Sequence, residues 1–138
     1  MNAKELSFDE IKVGDNASFY RVFMEDEVMK FAELSGDMNP LHTDISYAEG
    51  TQFKQRLVHG MLLGSLCSRF VGMCIPGKRC LYLSQNLSFK NPVFIGDEIE
   101  VVGTVIFKSE ATKILTINIV MKKGKDVVVL GEAKVQVI

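Results

Sequence analysis

The longest apolar stretch of the chain, LVHGMLLGSLCSRFVGMCIPG at residues 57–77, limits what it can fold into more than any other feature. Between Met61 and Ile75 only Ser65, Ser68 and Arg69 are polar, which predicts a helix buried inside the molecule rather than laid on its surface. A membrane span is the competing reading. It fails, because Arg69 well inside the run would cost roughly 2.5–3.5 kcal/mol in a bilayer, and no second span follows. At about 100° per residue the helix has two unlike sides. Leu62, Leu63, Leu66, Phe70, Met73 and Cys74 make a bulky side suited to a core. Gly60, Gly64, Ser65, Cys67, Ser68, Val71 and Gly72 make a mostly small side, open to close approach by another backbone or by a ligand. Pro76-Gly77 ends the helix.

The rest of the chain reads as sheet around that axis. Residues 1–16 are polar, with a turn at Gly14-Asp15-Asn16. Ala17–Met24 is aromatic and β-branched and predicts a first strand. Glu25–Leu34 predicts a helix with an acidic first turn, and 35–44, SGDMNPLHTD, a loop, since Pro40 breaks a helix and extends Asn39. A short helical piece over Ile45–Lys54 leads into the central helix. After Gly77 the period becomes two. Leu81, Leu83, Leu87 and Phe89 alternate with polar residues, as do Ile99, Val101, Gly103, Val105 and Phe107. Lys113–Met121 and Val127–Ile138 follow, joined at a hairpin through Gly124. The expected class is α+β: a curled antiparallel sheet of about five strands wrapped around one long helix, in one domain over 1–138.

A net charge of -1 gives no electrostatic reason to expect nucleic acid or an anionic membrane as partner. Cys67, Cys74 and Cys80 are odd in number and include no CxxC pair, so they read as small buried hydrophobes in a reducing compartment. The N-terminus has no apolar run of a signal peptide, which points to the cytoplasm or an organelle matrix. His42 and His59 lack the spacing of a zinc motif, so no metal is expected, and no nucleotide-binding, nucleophile-elbow or metalloprotease motif is present.

What remains is Asp37 and His42 in one loop. A carboxylate beside an imidazole can hold and deprotonate one water; alternatively, Asp37 is a turn residue and His42 satisfies a carbonyl. Gly60 stands where the central helix begins, with backbone N–H groups unpartnered and the dipole positive. A glycine there either admits a ligand carbonyl, as an oxyanion hole requires, or permits a tight turn into the helix. Ser65 and Ser68 are candidates for bonding back to the helix carbonyl four residues earlier.

FAELSGDMNPLHTD (31–44), LVHGMLLGSLCS (57–68) and PGKRCLYLSQNLSFKNPVFIGDEI (76–99) together closely resemble the MaoC-type (R)-specific enoyl-CoA hydratases. The resemblance implies a hot-dog fold and a homodimer whose sheets join edge to edge. It implies that Asp37 and His42 are the catalytic pair, that Asn39 shapes their loop, that Gly60 gives the N–H donor to the thioester oxygen, and that Ser68 lies near the reacting centre. It also matches Ser68, Val71 and Val135 to positions that close the acyl tunnel, where two valines would make a floor favouring short chains. The implied activity is cofactor-independent addition of water to a trans-2-enoyl-CoA, giving a (R)-3-hydroxyacyl-CoA.

Three other readings compete. A 3-hydroxyacyl-carrier-protein dehydratase performs the same chemistry on another thioester handle, and spacing does not separate the two. A thioesterase on this fold needs a carboxylate on the central helix, and Met61–Ile75 has none. A non-catalytic acyl-CoA-binding regulator would keep the tunnel and lose the acid–base pair, whereas Asp37 and His42 are both present.

Overall fold

The structure, a computed structural model, describes residues 2–138. The elements are β1 (Asn16–Val22), α1 (Glu25–Ser35), α2 (Pro40–Thr43), α3 (Ile45–Glu49), α4 (Gly60–Met73), β2 (Cys80–Phe89), β3 (Glu98–Ser109), β4 (Ile114–Lys123) and β5 (Asp126–Val137). The five strands form one antiparallel sheet in the order β1-β3-β4-β5-β2, so β1 and β2 are its edges. This is the expected hot-dog arrangement, with α4 as its filling. No described helix is long and apolar enough to cross a membrane.

The core lies between α4 and the inward rows of β3, β4 and β5. Leu62, Leu63, Leu66, Cys67, Phe70 and Val71 are buried on α4, two neighbours per turn. They share one cluster with Ile99, Val101 and Val105 of β3 and with Leu115, Ile117, Ile119 and Met121 of β4. Each such side chain contributes about 1.5–3 kcal/mol on burial. Gly103 matters here: a Cβ on it would lie 2.2 Å from the tip of the Phe70 ring, so only glycine lets that ring come so close to β3. The polar N-terminal stretch also reaches the core, inserting Phe8 and Ile11.

Several expectations change. The loop 35–44 contains α2, because Pro40 does not break that helix but begins it: a fixed φ and a missing N–H cost nothing at the first helical position. Helix α3 stops at Glu49 rather than at Lys54, and Lys54 itself has a positive φ of 62°. Leu81, Leu83 and Phe89 do not face the core; they are 48%, 47% and 52% exposed. Alternation reveals two faces of a strand without saying which one is inward, and β2 shifts register at a bulge between Tyr82 and Ser84. A second bulge, between Val105 and Phe107, breaks the β3 alternation and leaves Phe107 58% exposed. Helix α4 is not buried all round either: Met61, Ser65 and Ser68 are exposed along one side.

Candidate active site

The site is assembled where the chain passes from α1 through α2 and returns at the start of α4. Gly36, with φ 80°, ends α1 in the left-handed conformation and turns the chain into the loop. The Asp37 carboxylate accepts the Asn39 N–H at 3.2 Å. Asn39 caps α2, its side-chain oxygen accepting the Leu41 N–H at 2.9 Å. Asn39 therefore holds the shape of the segment from Asp37 to His42. Further along, the Arg56 guanidinium, almost wholly buried, pairs with Glu25 at 2.8 Å and ties the approach to α4 onto α1.

His42 points back across the loop and its Nδ1 lies 2.8 Å from the Leu57 carbonyl. A carbonyl only accepts, so Nδ1 carries the hydrogen and the lone pair is on Nε2. His59, the residue before α4, is 1% exposed. Its Nε2 lies 3.1 Å from the Asp37 carbonyl and donates to it by the same logic. The His42 and His59 rings stack at 3.9 Å with 25° between their planes, and Phe31 meets His59 edge-on at 4.9 Å. Burial holds the His59 imidazole below its ordinary protonation range, and His42 beside it acts in the same direction.

One donor atom from each of Asp37, His42 and His59 lies within 4.8 Å of the others, a spacing at which three donors can share a metal ion. The fit is poor. Zinc–imidazole bonds of about 2.0–2.1 Å lie in the ring plane, and one ion cannot lie in both planes of two stacked rings. His42 Nδ1 and His59 Nε2 are in addition each engaged by a carbonyl. The donor set suits proton transfer better than coordination.

Asp37, His42, His59 and Gly60 line one cavity of about 510 Å³, together with Phe53 and Phe89. At its wall the N–H groups of Gly60 and Met61 begin α4 and have no acceptor among the described residues. Phe89 sits against Gly60, where a Cβ would lie 2.9 Å from its ring. Close packing therefore requires a glycine here, and its N–H, at the cavity wall, has no acceptor among the described residues.

Ser68 does not join this group. It lines a second cavity of about 460 Å³ with Gly64, Ser65 and Leu87, and Met61 borders both. Ser65 bonds back along the helix, its hydroxyl 2.6 Å from the Leu62 carbonyl. Val71 and Val135 are fully buried in the core and line neither cavity. Cys67 is buried and its thiol is pushed up to about 11, which removes it as a nucleophile near neutral pH. His59 is the site residue that sequence reasoning passed over. Its signal was its place beside Gly60, but nothing in the spacing brings it to Asp37, 22 residues earlier.

The MaoC like domain family matches residues 4–128. The (R)-specific enoyl-CoA hydratase of Aeromonas caviae is 44% identical over 133 residues, covering 95% of this chain and 98% of the relative. The solved R-hydratase of Pseudomonas aeruginosa superposes with a TM-score of 0.93 at 34% identity, over 98% of this chain and 87% of that one. A mitochondrial 3-hydroxyacyl-[acyl-carrier-protein] dehydratase of Arabidopsis thaliana is 46% identical over 89 residues, 64% of this chain and 52% of its own length.

Proposed function

The chain belongs to the MaoC-like domain family, and from that premise we propose that it is a (R)-specific enoyl-CoA hydratase acting in the cytoplasm. The observation that carries the reading is the convergence of Asp37, His42 and the open Gly60 N–H on one cavity. The relatives matched over most of their length are named for CoA thioesters, two as enoyl-CoA hydratases and one as a 3-hydroxybutyryl-CoA dehydratase, whereas the carrier-protein dehydratase is matched over about half of its own. That contrast favours CoA as the handle.

The reaction follows from the donors and acceptors. The thioester carbonyl accepts from Gly60 N–H, so that charge gathering on its oxygen is met by a backbone donor and the positive end of α4. Electron withdrawal through the conjugated alkene makes C3 electrophilic. Asp37 and His42 hold a water between the carboxylate and the Nε2 lone pair. As the water oxygen bonds C3, one member of the pair takes the water's proton, and the pair passes that same proton on to C2. The net result is H and OH across the double bond, with the pair returned to its starting state. Asn39 holds the loop, and Ser68, on the exposed side of α4, contributes to the acyl channel.

The same reading includes a homodimer joined through β2. That edge strand carries Leu81, Leu83 and Phe89 outward beside Met61, which is 62% exposed, and the two cavities open along this side. An apolar edge is a template for pairing, and a second copy would cover both the edge and the cavities. Sedimentation should give twice 15.4 kDa at micromolar concentration, and a monomer would contradict the pairing. The activity itself is tested by following enoyl absorbance as protein is mixed with crotonyl-CoA, with chiral analysis of the product. Loss of absorbance with (R)-3-hydroxybutyryl-CoA formed is expected. No turnover, or a faster reaction on the same acyl group tethered to a carrier protein, would displace the CoA reading.

A further inference from the structure

Among the described residues, one side chain touches both members of the catalytic pair, and it is neither of them. His59 donates from Nε2 to the Asp37 carbonyl at 3.1 Å and lays its ring face on His42 at 3.9 Å. It is itself fixed from α1 by the Phe31 edge, and its backbone begins the turn that presents the Gly60 N–H. We infer that His59 is a positioning residue of the reaction: a neutral, Nε2-protonated imidazole that sets Asp37, His42 and the oxyanion donor in one frame. The inference rests on the hydratase reading and adds to it a second imidazole, one that does no proton transfer itself.

Three observations together fit a neutral ring with its hydrogen on Nε2. The Asp37 carbonyl fixes the hydrogen on Nε2. Nδ1 is buried and has no partner among the described residues, so a proton there would be an unsatisfied buried donor. The titratable groups facing the ring are His42 from α2 and Asp37 from the loop before it, while α1 presents the apolar Phe31. A positive His42 formed during turnover would disfavour a second positive charge on the ring stacked against it. His59 is thereby excluded as the proton acceptor and left as a wall: it sets direction for the loop through a hydrogen bond and for His42 through a face.

The consequence is kinetic rather than structural. A reacting group misplaced by about 1 Å loses roughly a hundredfold in rate, because the cost falls on the aligned transition state and not on ground-state binding. The test uses two variants and the wild-type ring. His59→Leu keeps an apolar filler and removes both contacts; kcat on crotonyl-CoA should fall about a hundredfold with KM little changed and the unfolding midpoint near wild type. His59→Gln places an amide N–H near the original Nε2 and should recover about tenfold of that loss. In the intact protein, nitrogen-15 resonances of labelled histidine should show His59 as the neutral Nε2–H tautomer through pH 6.5, its ordinary midpoint. Wild-type kcat in His59→Leu, equal loss in both variants, or a His59 that titrates normally or carries its hydrogen on Nδ1 would overturn the inference. Inactivity of the wild type itself would instead remove the hydratase reading, and the resonance measurement would still decide the state of the ring.

Discussion

Strand β4 and the segment from Ser35 to Thr43 are held in place by opposite means. β4 lies between β3 and β5, is laddered on both sides, and buries Leu115, Ile117, Ile119 and Met121 completely. The segment 35–43 has no buried residue. Its shape comes from directional bonds: Ser35 to the Phe31 carbonyl, Asp37 to Asn39, Asn39 to Leu41, His42 to the Leu57 carbonyl, and His59 to the Asp37 carbonyl. Groups that must meet water and substrate cannot also be sealed in a core. Burial is roughly proportional to area and insensitive to angle, whereas each hydrogen bond depends on geometry. Substitutions in β4 should therefore cost stability at unchanged chemistry, and substitutions in the segment should cost rate at nearly unchanged stability.

The largest stability effect should come from the strand. Ile117→Ala removes a fully buried side chain from the centre of the sheet and should lower unfolding free energy by about 2–5 kcal/mol. Turnover per folded molecule should stay at the wild-type value, as denaturant titration and an assay on one preparation would show. A large kcat loss with stability intact would erase the contrast. Val71→Ala tests whether core and acyl channel overlap. The residue is buried on α4, and truncation should cost about 1–3 kcal/mol. If Val71 also floors the channel with Val135, kcat/KM for C6 and C8 enoyl-CoAs should rise relative to crotonyl-CoA. An unchanged ratio would assign it to the core alone.

Asn39→Ala removes the α2 cap and should cost about 0.5–2 kcal/mol locally, with a fall in kcat larger than that stability loss would suggest. Equal effects on both would make Asn39 an ordinary cap. The smallest effect concerns pH. His59 unfolded takes a proton near pH 6.5, and buried in the native state only at lower pH. The native state then binds fewer protons across that window, so stability is full above about 6.5 and declines as pH falls through it. Chemical denaturation from pH 7.5 to 5.5 should show the decline, and a flat profile would mean the folded ring titrates normally.

The same contrast explains what was readable in the chain. β3, β4 and β5 announced themselves through alternation because one face of each is fully buried, and the long helix through its apolar content. What a pattern of two cannot carry is which face turns inward. Leu81 and Leu83 belong to an edge whose apolar row points away from the core, and the bulge before Phe107 reverses the alternation mid-strand. The segment 35–43 was harder, since its order lies in side-chain-to-backbone bonds that leave no periodicity. Pro40 read as a breaker is a helix start once Asn39 caps it. Asp37 and His42 stood out by resemblance to a motif rather than by spacing; His59 lay inside a resembling segment too, but nothing there gave it a role.

The central claim is that the exposed segment carries the chemistry and the core does not. It is tested most directly by kcat on crotonyl-CoA, with the unfolding midpoint, for Asp37→Asn, His42→Ala and the double variant. Each single change should lower kcat by about 10²–10⁴-fold while the midpoint stays near wild type, and the double should lose little beyond either, because in the proposed mechanism the two act on one water as a unit. Near-wild-type turnover in either single variant, with the fold intact, would contradict the account.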